Sequence, residues 1–514
     1  MADDLTTAPA ALTDAVATSN GPVRGYEEGS LKVFKGLRYA AAPTGPLRFK
    51  PPVRPEPWSG AADAIGYGAP AIQSGLAPGE RRTSPGDPPA PDEPASSEDC
   101  LFLNVWSPGL DEARRPVMVW LHGGGFANGS GGAAMYDGAA LARRGDVVTV
   151  TVNHRLNVFG YLHLAEAFGP DYALSGIAGM LDIVLALEWV AENIAAFGGD
   201  PANVTVFGES GGGWKVSLLM AMPSAKGLFH KAIIQSGPGL TGKAPAEAAK
   251  TARDLLTALE VSTPAQLAAV PTDVLSHQSV ALGGEIMRLY TPVVDGEALP
   301  RHPFEPDASP LGAGIPLMIG TNKDENTLFL FSHPKFGSFT DEDVVRHAQN
   351  AVGETRAEAL IEALEAAFPD YSPSHLVAAV GTATNMWSHS ITLAERKAAQ
   401  DQGRGAGVWM YLLTWETPVA RGRLKSPHAI EIPLVFDNVE KARSFVGRGE
   451  APQALADQMS QAWLAFARSG DPNAAGLPSW PAYEPGRRAT MVFDLESRVV
   501  DDPYADLRRV VQQA

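Results

Sequence analysis

The sequence predicts an α/β fold in which a central, mostly parallel sheet is flanked by helices. Short apolar runs without polar alternation recur along the 514 residues, as in strands buried on both faces of a parallel sheet. Helical patterns separate most of these runs, which is typical of doubly wound architectures. The composition, with 45% hydrophobic and 19% charged residues, is that of a globular protein.

The individual elements follow from local patterns. The predicted strands are the apolar runs at 117–121, 147–152, 204–207, 232–234, 317–319 and 408–413. The clearest helix is at 180–193, where Leu181, Val184 and Leu185 lie near one stripe. The segment 23–36 alternates around Glu28-Gly29-Ser30 and predicts a hairpin.

The chain divides into a short leader and one large domain. Residues 1–19 are predicted to be a flexible leader, and residues 20–514 one large α/β domain. Two helix-rich stretches, at about 243–285 and 340–402, are predicted to be insertions that pack over the carboxyl edge of the sheet. Residues 75–97 are rich in Pro, Gly and charge, and this loop is long enough to be a functional flap.

Charge and cysteine content exclude several classes of protein. The net charge is −17 and no basic run is present, which argues against nucleic acid and against anionic membranes as partners. No stretch approaches the roughly 20 apolar residues of a membrane span. The chain has one cysteine and no signal-peptide pattern, so a cytoplasmic location is predicted. The oligomeric state is not indicated.

The strongest motif is Gly208-Glu209-Ser210-Gly211-Gly212. The strand predicted at 204–207 leads into it and a helical pattern follows, as the G-x-S-x-G nucleophile elbow requires. The glycines leave room for neighbouring backbone, so that the hydroxyl of Ser210 projects from the turn. The alternative is a glycine-rich turn without function, and the flanking strand and helix favour the elbow.

A phosphate-binding loop is the competing interpretation of the same stretch. Gly208 and Gly213 have the spacing of G-x-x-x-x-G-K-[ST], but Trp214 stands where the lysine is needed. Lys215 comes one position late and Val216 follows it instead of Ser or Thr. The contacts to phosphate and magnesium are therefore lost, which argues against nucleotide binding.

A second glycine motif, His122-Gly123-Gly124-Gly125-Phe126, follows the strand predicted at 117–121. An HGGG loop in this place supplies backbone N–H donors to an oxyanion hole. The predicted donors are the amides of Gly124, Gly125 and Gly211. The alternative is a flexible surface loop.

A serine nucleophile needs a base and an acid that orients the base. The candidate bases after Ser210 are His230, His277, His302, His333, His347, His375, His389 and His428. His428 is favoured because it follows the last strong strand, at 408–413, although an ordinary surface histidine is the alternative. The acid is expected after the strand at 317–319, where the pattern leaves Asp324 and Glu325 open.

With these motifs in place, the chain resembles the type B carboxylesterase family, which includes cholinesterases and bacterial p-nitrobenzyl-type esterases. The resemblance covers nearly the whole chain from about residue 21. It rests on the blocks SEDCLFLNVW, HGGGF, VNHRLNVFGYL, TPVVDGEALP, IGTNKDEN and HAIEIPLVF. It implies the α/β-hydrolase fold, with helical insertions over the active site, in a bacterial serine carboxylesterase.

The resemblance also implies roles for single residues. It selects Glu325 as the acid and His428 as the base. Ser236 resembles a serine that supports the acid by a hydrogen bond, with a plain strand-end serine as the alternative. Arg155 and Glu98 resemble a structural salt bridge of the family.

Three departures from the family pattern are visible. Gly211 replaces the alanine that usually follows the nucleophile. Cys100 resembles one half of a family disulfide, but Ala71 stands at the partner position, so the bridge is absent. No aromatic arrangement for choline is found, which argues against acetylcholine as substrate.

The predicted reaction is hydrolysis of carboxylic esters of small, largely apolar molecules through an acyl-enzyme on Ser210, without metal or organic cofactor. The predicted pocket residues, each of which has ordinary core as its alternative, are Phe126, Trp214, Phe329, Phe331 and Trp387. A serine amidase or carbamate hydrolase would use the same constellation. A non-catalytic binding module is disfavoured because the nucleophile, the acid and the base are all present.

Overall fold

A computed structural model describes residues 11–78, 80, 92–401 and 405–512. The strands are β1 (Val16–Thr18), β2 (Gly21–Arg24), β3 (Tyr26–Glu28), β4 (Leu31–Arg38), β5 (Ala62–Asp63), β6 (Phe102–Ser107), β7 (Arg115–Leu121), β8 (Val148–Val152), β9 (Gly199–Glu209), β10 (Lys231–Gln235), β11 (Leu317–Asn322), β12 (Val408–Leu413), β13 (Ala489–Phe493) and β14 (Arg498–Asp501). The α-helices are α1 (Ala139–Gly145), α2 (Asn157–Tyr161), α3 (Ala165–Phe168), α4 (Ala178–Asn193), α5 (Gly211–Leu219), α6 (Pro245–Ala258), α7 (Pro264–Ala269), α8 (Thr272–Ala281), α9 (Ile286–Leu289), α10 (Asn326–Leu330), α11 (Asp341–Val352), α12 (Glu354–Ala367), α13 (Pro373–Thr382), α14 (Ser388–Asp401), α15 (Ile432–Val435), α16 (Arg443–Val446), α17 (Glu450–Ser469) and α18 (Ala505–Gln512).

Most strands belong to one large sheet. Its order is β14, β13, β12, β11, β10, β9, β7, β8, β6, β4, β3, and β1, β2 and β5 form a separate small sheet. The strands from β13 to β8 in this order pair in parallel, whereas both flanks of the sheet are antiparallel. The predicted α/β-hydrolase architecture, a mostly parallel sheet flanked by helices, is therefore confirmed.

The parallel strands bring five chain segments to one edge of the sheet. Leu121 at the end of β7 pairs with Gly208 of β9, and Glu209 pairs with Gln235 of β10. Asn322 at the end of β11 pairs with Leu413 at the end of β12. Because parallel strands end at the same edge, the loops that follow them lie side by side.

The central strands are apolar on both faces because helices cover both faces of the sheet. In β7, Val117, Val119 and Leu121 belong to one buried cluster, and Met118 and Trp120 belong to another. The first cluster also includes the apolar residues of α4, and the second includes those of α17. This two-sided burial explains why the strands appear in the sequence as continuous apolar runs.

Both helix-rich stretches are helical in the structure. The first contains α6, α7 and α8, and the second contains α11 to α14. A π-helical segment, Ala383–Trp387, joins α13 to α14.

The predicted leader and loop differ from the structure in their bounds. Strand β1 lies within the predicted leader and pairs with β2, so the leader prediction is wrong for these residues. Residues 1–10 lie outside the described residues. Of the predicted flap, Gly79 and residues 81–91 also lie outside them.

The predicted salt bridge between Arg155 and Glu98 is wrong. The fully buried Arg155 donates from Nε and Nη2 to both oxygens of Asp182 in α4, at 2.8 and 2.6 Å. Glu98 accepts instead from Nε of Arg48 at 2.8 Å. A buried guanidinium requires a carboxylate that matches its fork, and Asp182 fills this role for Arg155.

Cys100 is part of the core. Cys100 and Ala71 are both buried in the cluster that includes α4. Burial raises the pKa of the Cys100 thiol well above its usual value. This residue therefore behaves as a small apolar side chain.

One segment passes the length and hydropathy test for a membrane span, contrary to the sequence-based expectation. Pro170–Phe197, which contains α4, is long and apolar enough to cross a membrane, but 78% of its most apolar window is buried inside the fold. Because α4 packs on the sheet, its apolar side chains belong to the hydrophobic core.

Candidate active site

The elbow is a strained turn between β9 and α5. Ser210 has φ +55° and ψ −121°, in the region with positive φ that L residues rarely occupy. A β-carbon on Gly212 would lie 1.9 Å from the carbonyl oxygen of Leu121, and one on Gly208 would lie 2.6 Å from that same oxygen. The two glycines are therefore required by the close approach of β7, and Ser210 is left to face a cavity.

The cavity beside Ser210 has a volume of about 250 Å³. Part of its lining comes from the described residues of the 70–96 loop, from the glycine loop (residues 122–126) with the segment after it, and from the elbow. The rest comes from the residues around 287, 328 and 428–432. Within the described part of the chain, no lining residue comes from the insertions at 243–285 and 340–402. Met287, just beyond the first insertion, is the contribution nearest to either insertion in sequence.

His428 and Glu325 are in direct contact. Nδ1 of His428 lies 2.5 Å from Oε2 of Glu325, and the amide of His428 donates to the Glu325 carbonyl at 3.3 Å. Both side chains are buried, and His428 lines the same cavity as Ser210. The structure thus places His428 in contact with Glu325 and on the same cavity as Ser210, although the three residues lie far apart in the chain.

The other candidate acid, Asp324, points away from His428. Its carboxylate accepts from the hydroxyl of Tyr371 and, at 3.1 Å, from the amide of Ser426. The second oxygen of Glu325 accepts from the amide of Asn322 at 2.7 Å. This bond fixes the carboxylate so that its remaining oxygen faces the imidazole.

The glycine amides form a group of unpaired donors. Among the described residues, the amides of Gly124, Gly125 and Gly211 donate to no protein acceptor. Gly124 and Gly125 have φ of +81° and +61°, which glycine adopts without strain. Unpaired N–H groups beside a nucleophile are suited to bind an oxyanion.

Glu209, the residue before the nucleophile, contacts the other side of the imidazole. Its Oε1 lies 2.9 Å from Nε2 of His428, which makes an ion pair when the imidazole is protonated. Burial alone would lower the pKa of His428, but the carboxylates of Glu209 and Glu325 outweigh it and hold that pKa above its usual value. Burial raises the pKa of Glu209, and His428 opposes that rise.

A further buried acid, Glu431, lies one turn after His428. It accepts from Nδ2 of Asn322 at 2.6 Å and from Nε2 of Gln235 at 3.3 Å. Burial, together with Glu209 and Glu325, raises the pKa of Glu431 to about 8. Sequence reasoning missed Glu209 and Glu431, although both stand inside the motifs, next to Ser210 and three residues after His428.

The predicted hydrogen bond from Ser236 to the acid is wrong. The hydroxyl of Ser236 is buried and has no hydrogen-bond partner within the described part of the chain. Its amide donates to the carbonyl of Gly320 at 2.8 Å, and its φ is +48°. The Glu325 oxygen that does not face His428 already accepts from the amide of Asn322, so no serine hydroxyl is needed there.

Of the predicted pocket aromatics, Phe329 lines the cavity. Its side chain is 55% exposed, and its ring centre lies 5.0 Å from that of His428. Trp387 lies elsewhere, on the π-helical segment, where it lines a separate small cavity with Tyr504. The assignment of Trp387 to the pocket was wrong, because this residue does not line the cavity beside Ser210.

The other three aromatics also lie outside the cavity lining. Phe126 is fully buried and packs edge-on against Trp214, with ring centres 5.2 Å apart. Phe331 packs against Phe336 and under the guanidinium of Arg423. Their assignment to the pocket was wrong because each ring is used in packing.

In the described part of the chain, no group of three or more His, Cys, Asp or Glu side chains is arranged to hold a metal ion. The titratable side chains near Ser210 are instead the imidazole of His428 and the carboxyl groups of Glu325, Glu209 and Glu431.

Comparison with known proteins places this geometry among ester hydrolases. The model of the Carboxylesterase family matches residues 13–508. The para-nitrobenzyl esterase of Bacillus subtilis is 36% identical over 96% of this chain and 97% of its own length. The phenmedipham hydrolase of Pseudarthrobacter oxydans is 34% identical over 94% of this chain and 95% of its own length.

Solved structures give the same result. The carboxylesterase EST55 of Geobacillus stearothermophilus superposes with a TM-score of 0.84 at 40% identity, covering 97% of this chain and all of that one. An esterase of Clostridium hathewayi, described as able to hydrolyse aliphatic aromatic polyesters, superposes with a TM-score of 0.79 at 33% identity and covers 98% of each chain.

Proposed function

The chain belongs to the Carboxylesterase family and is a carboxylic ester hydrolase, and from this premise we propose which of its residues perform the reaction. Ser210 is the nucleophile, His428 the general base and Glu325 the acid that orients it. The contact of 2.5 Å between Nδ1 of His428 and Glu325, with His428 lining the same cavity as Ser210, carries this proposal.

The proposed reaction has two steps. Nε2 of His428 takes the proton of the Ser210 hydroxyl as the oxygen attacks the ester carbonyl, and His428 then protonates the leaving alcohol. Water, activated by the same imidazole, hydrolyses the acyl-enzyme. Glu325 holds the proton on Nδ1, which leaves Nε2 free to accept.

The oxyanion of each tetrahedral intermediate is held by the amides of Gly124, Gly125 and Gly211. Their lack of protein acceptors supports this role, because a donor already paired would have to break a bond first. The N-terminus of α5 adds positive potential at the same place.

The proposed substrates are esters of small to medium, largely apolar molecules. Apolar side chains of Met135, Leu328, Phe329 and Ile432 line the cavity, and its volume of about 250 Å³ suits a short acyl or alcohol group. The names of the relatives, which include a para-nitrobenzyl esterase, support the same class.

We also propose a cytoplasmic location. Its support is the use of cysteine: the chain has one, Cys100, which is buried and unpaired. Proteins of oxidising compartments more often carry disulfides.

The experiment that tests the function compares p-nitrophenyl esters, from acetate to decanoate, with p-nitroanilides of the same acyl groups. We expect turnover of the short and medium esters, a decline for the longest chains, and much slower hydrolysis of every anilide. The measurement is kcat/KM for each pair. Anilides hydrolysed as fast as their esters would contradict the proposal and support an amidase.

The Glu209→Gln variant is expected to change the pH dependence of the reaction. His428 must be neutral to act as a base, so kcat/KM rises as pH passes the raised pKa of this residue. Removing the Glu209 carboxylate destabilises the imidazolium, which lowers this pKa and shifts the rising limb to lower pH. The measurement is the pH profile of kcat/KM, with Glu93→Gln as a control that changes another cavity carboxylate. An unshifted limb in Glu209→Gln would contradict the expectation.

A further inference from the structure

Lys215 is a buried lysine directly behind the glycine loop. It lies in α5, five residues after Ser210, and is fully buried. Its Nζ donates to the carbonyl oxygen of Gly125 at 2.7 Å and to that of His122 at 3.1 Å. A buried amino group is costly without hydrogen bonds, so these two bonds account for its presence in the core.

The two acceptors lie at the two ends of the glycine loop. The carbonyl of His122 belongs to the peptide that enters the loop, and the carbonyl of Gly125 belongs to the peptide that leaves it. Between them lie the amides of Gly124 and Gly125. Since three consecutive glycines have great conformational freedom, a loop of this kind needs contacts from outside to keep its amides in one orientation.

Gly211 permits the loop to lie where Lys215 holds it. A β-carbon on Gly211 would lie 2.3 Å from the carbonyl oxygen of Gly125 and 2.5 Å from its Cα. The oxygen that blocks a side chain at 211 is thus the one that Lys215 binds at 2.7 Å. An alanine at 211 would have to push the loop away from the elbow and from the lysine.

We propose that Lys215 is a positioning residue that fixes the glycine loop against the elbow and so aligns the amides of the oxyanion hole, and that Gly211 provides the space that this position requires. The inference rests on the proposed function, because it assigns the amides of Gly124, Gly125 and Gly211 to the oxyanion. The inference adds Lys215 to the residues that support the reaction, although this lysine contacts neither the substrate nor Ser210.

The two hydrogen bonds from Lys215 to the glycine loop do not depend on the charge of the lysine. Burial lowers the pKa of Lys215 to about 7, and Glu209 opposes this change. The neighbouring histidines, His122 and His154, are also buried and have lowered pKa values. A neutral amine retains two N–H groups, which is the number of carbonyls that it serves.

The first test is the Lys215→Met variant, which keeps the length of the side chain and removes its donors. We expect kcat for p-nitrophenyl butyrate to fall by about 10- to 100-fold, somewhat less than the loss of one oxyanion donor, with little change in KM. The affinity for a trifluoromethyl ketone, whose adduct carries an oxyanion, should fall in parallel.

Lys397→Met is the matched control. Lys397 is also fully buried, and its Nζ donates to the carbonyls of Gly312 and Ala313 at 2.8 and 3.1 Å, away from the cavity. Both variants lose a buried lysine, and the thermal midpoint should report a similar cost for each. We expect only Lys215→Met to lose kcat and to show faster hydrogen exchange in the peptide that contains residues 122–126.

The second test begins with a variant that keeps Lys215 and then asks whether Gly211 and Lys215 act on the same loop. Gly211→Ala alone should lower kcat, because the β-carbon displaces the loop. In the double variant with Lys215→Met, alanine at 211 should cost less than it does alone, since the loop is no longer held. Equal losses in the two backgrounds would overturn the proposed coupling.

The outcomes separate this inference from the proposed function. An active wild type, an inactive Ser210→Ala variant and a Lys215→Met variant with unchanged kcat would overturn the positioning role and leave the function intact. A wild type without esterase activity would overturn both. A loss of kcat in Lys397→Met equal to that in Lys215→Met would show a general effect of stability and would also overturn the positioning role.

Discussion

The Ser210→Ala variant is expected to lose about 10⁶-fold in kcat for p-nitrophenyl esters, the largest effect of any single change in the chain. Without the hydroxyl no acyl-enzyme forms, and only the glycine amides and substrate binding remain to accelerate attack by water. The measurement is the steady-state rate, together with the mass of the protein after treatment with a serine-directed phosphonate. The phosphonate should modify the wild type and leave the variant unchanged.

Ser236→Ala is a suitable control for this variant. Ser236, like Ser210, has positive φ at the end of a strand, but its buried hydroxyl has no partner in the described structure. We expect near wild-type kcat for this control. A retained activity of more than a few per cent in Ser210→Ala would exclude Ser210 as the nucleophile.

The Glu325→Gln variant is expected to lose about 10⁴-fold in kcat through the wrong tautomer of His428. The carboxylate accepts two N–H donors, from Asn322 and from Nδ1 of His428. An amide has one oxygen. If that oxygen stays with Asn322, the NH₂ group faces Nδ1 and moves the imidazole proton to Nε2, which can then no longer accept from Ser210.

Asp324→Asn tests whether this effect is specific. Asp324 is a buried carboxylate next in sequence, with Tyr371 and Ser426 as partners and no contact with His428. We expect a loss of stability in this variant and a far smaller loss of kcat, measured together with the urea midpoint. If Asp324→Asn were the more damaging change to kcat, the assignment of the acid would be wrong.

The strands and the elbow could be predicted because local sequence determines them. A strand with helices on both faces must be apolar throughout, so the runs at 117–121 and 408–413 identify β7 and β12 directly. The glycines at 208 and 212 are equally local, because the approach of the Leu121 carbonyl excludes any side chain. The order of nucleophile, acid and base along the chain then restricted the remaining choices.

The predictions that failed concern partners that only the folded chain defines. Arg155 required a carboxylate, but no local pattern shows that α4 presents Asp182 to it. An aromatic residue such as Trp387 has the same pattern whether it lines a pocket or packs in a core. Glu209 and Glu431 became visible as electrostatic partners only when burial and the distance to His428 were known.

The core position of Cys100 has a practical consequence for spectroscopy. This residue is the chain's one cysteine, it is 1% exposed, and burial disfavours its thiolate, so thiol reagents should leave the folded protein unlabelled. The exposed rim residue Phe329 can then be changed to cysteine without first removing a native thiol. A fluorophore attached there would stand beside His428 and would report, molecule by molecule, when the cavity fills and empties.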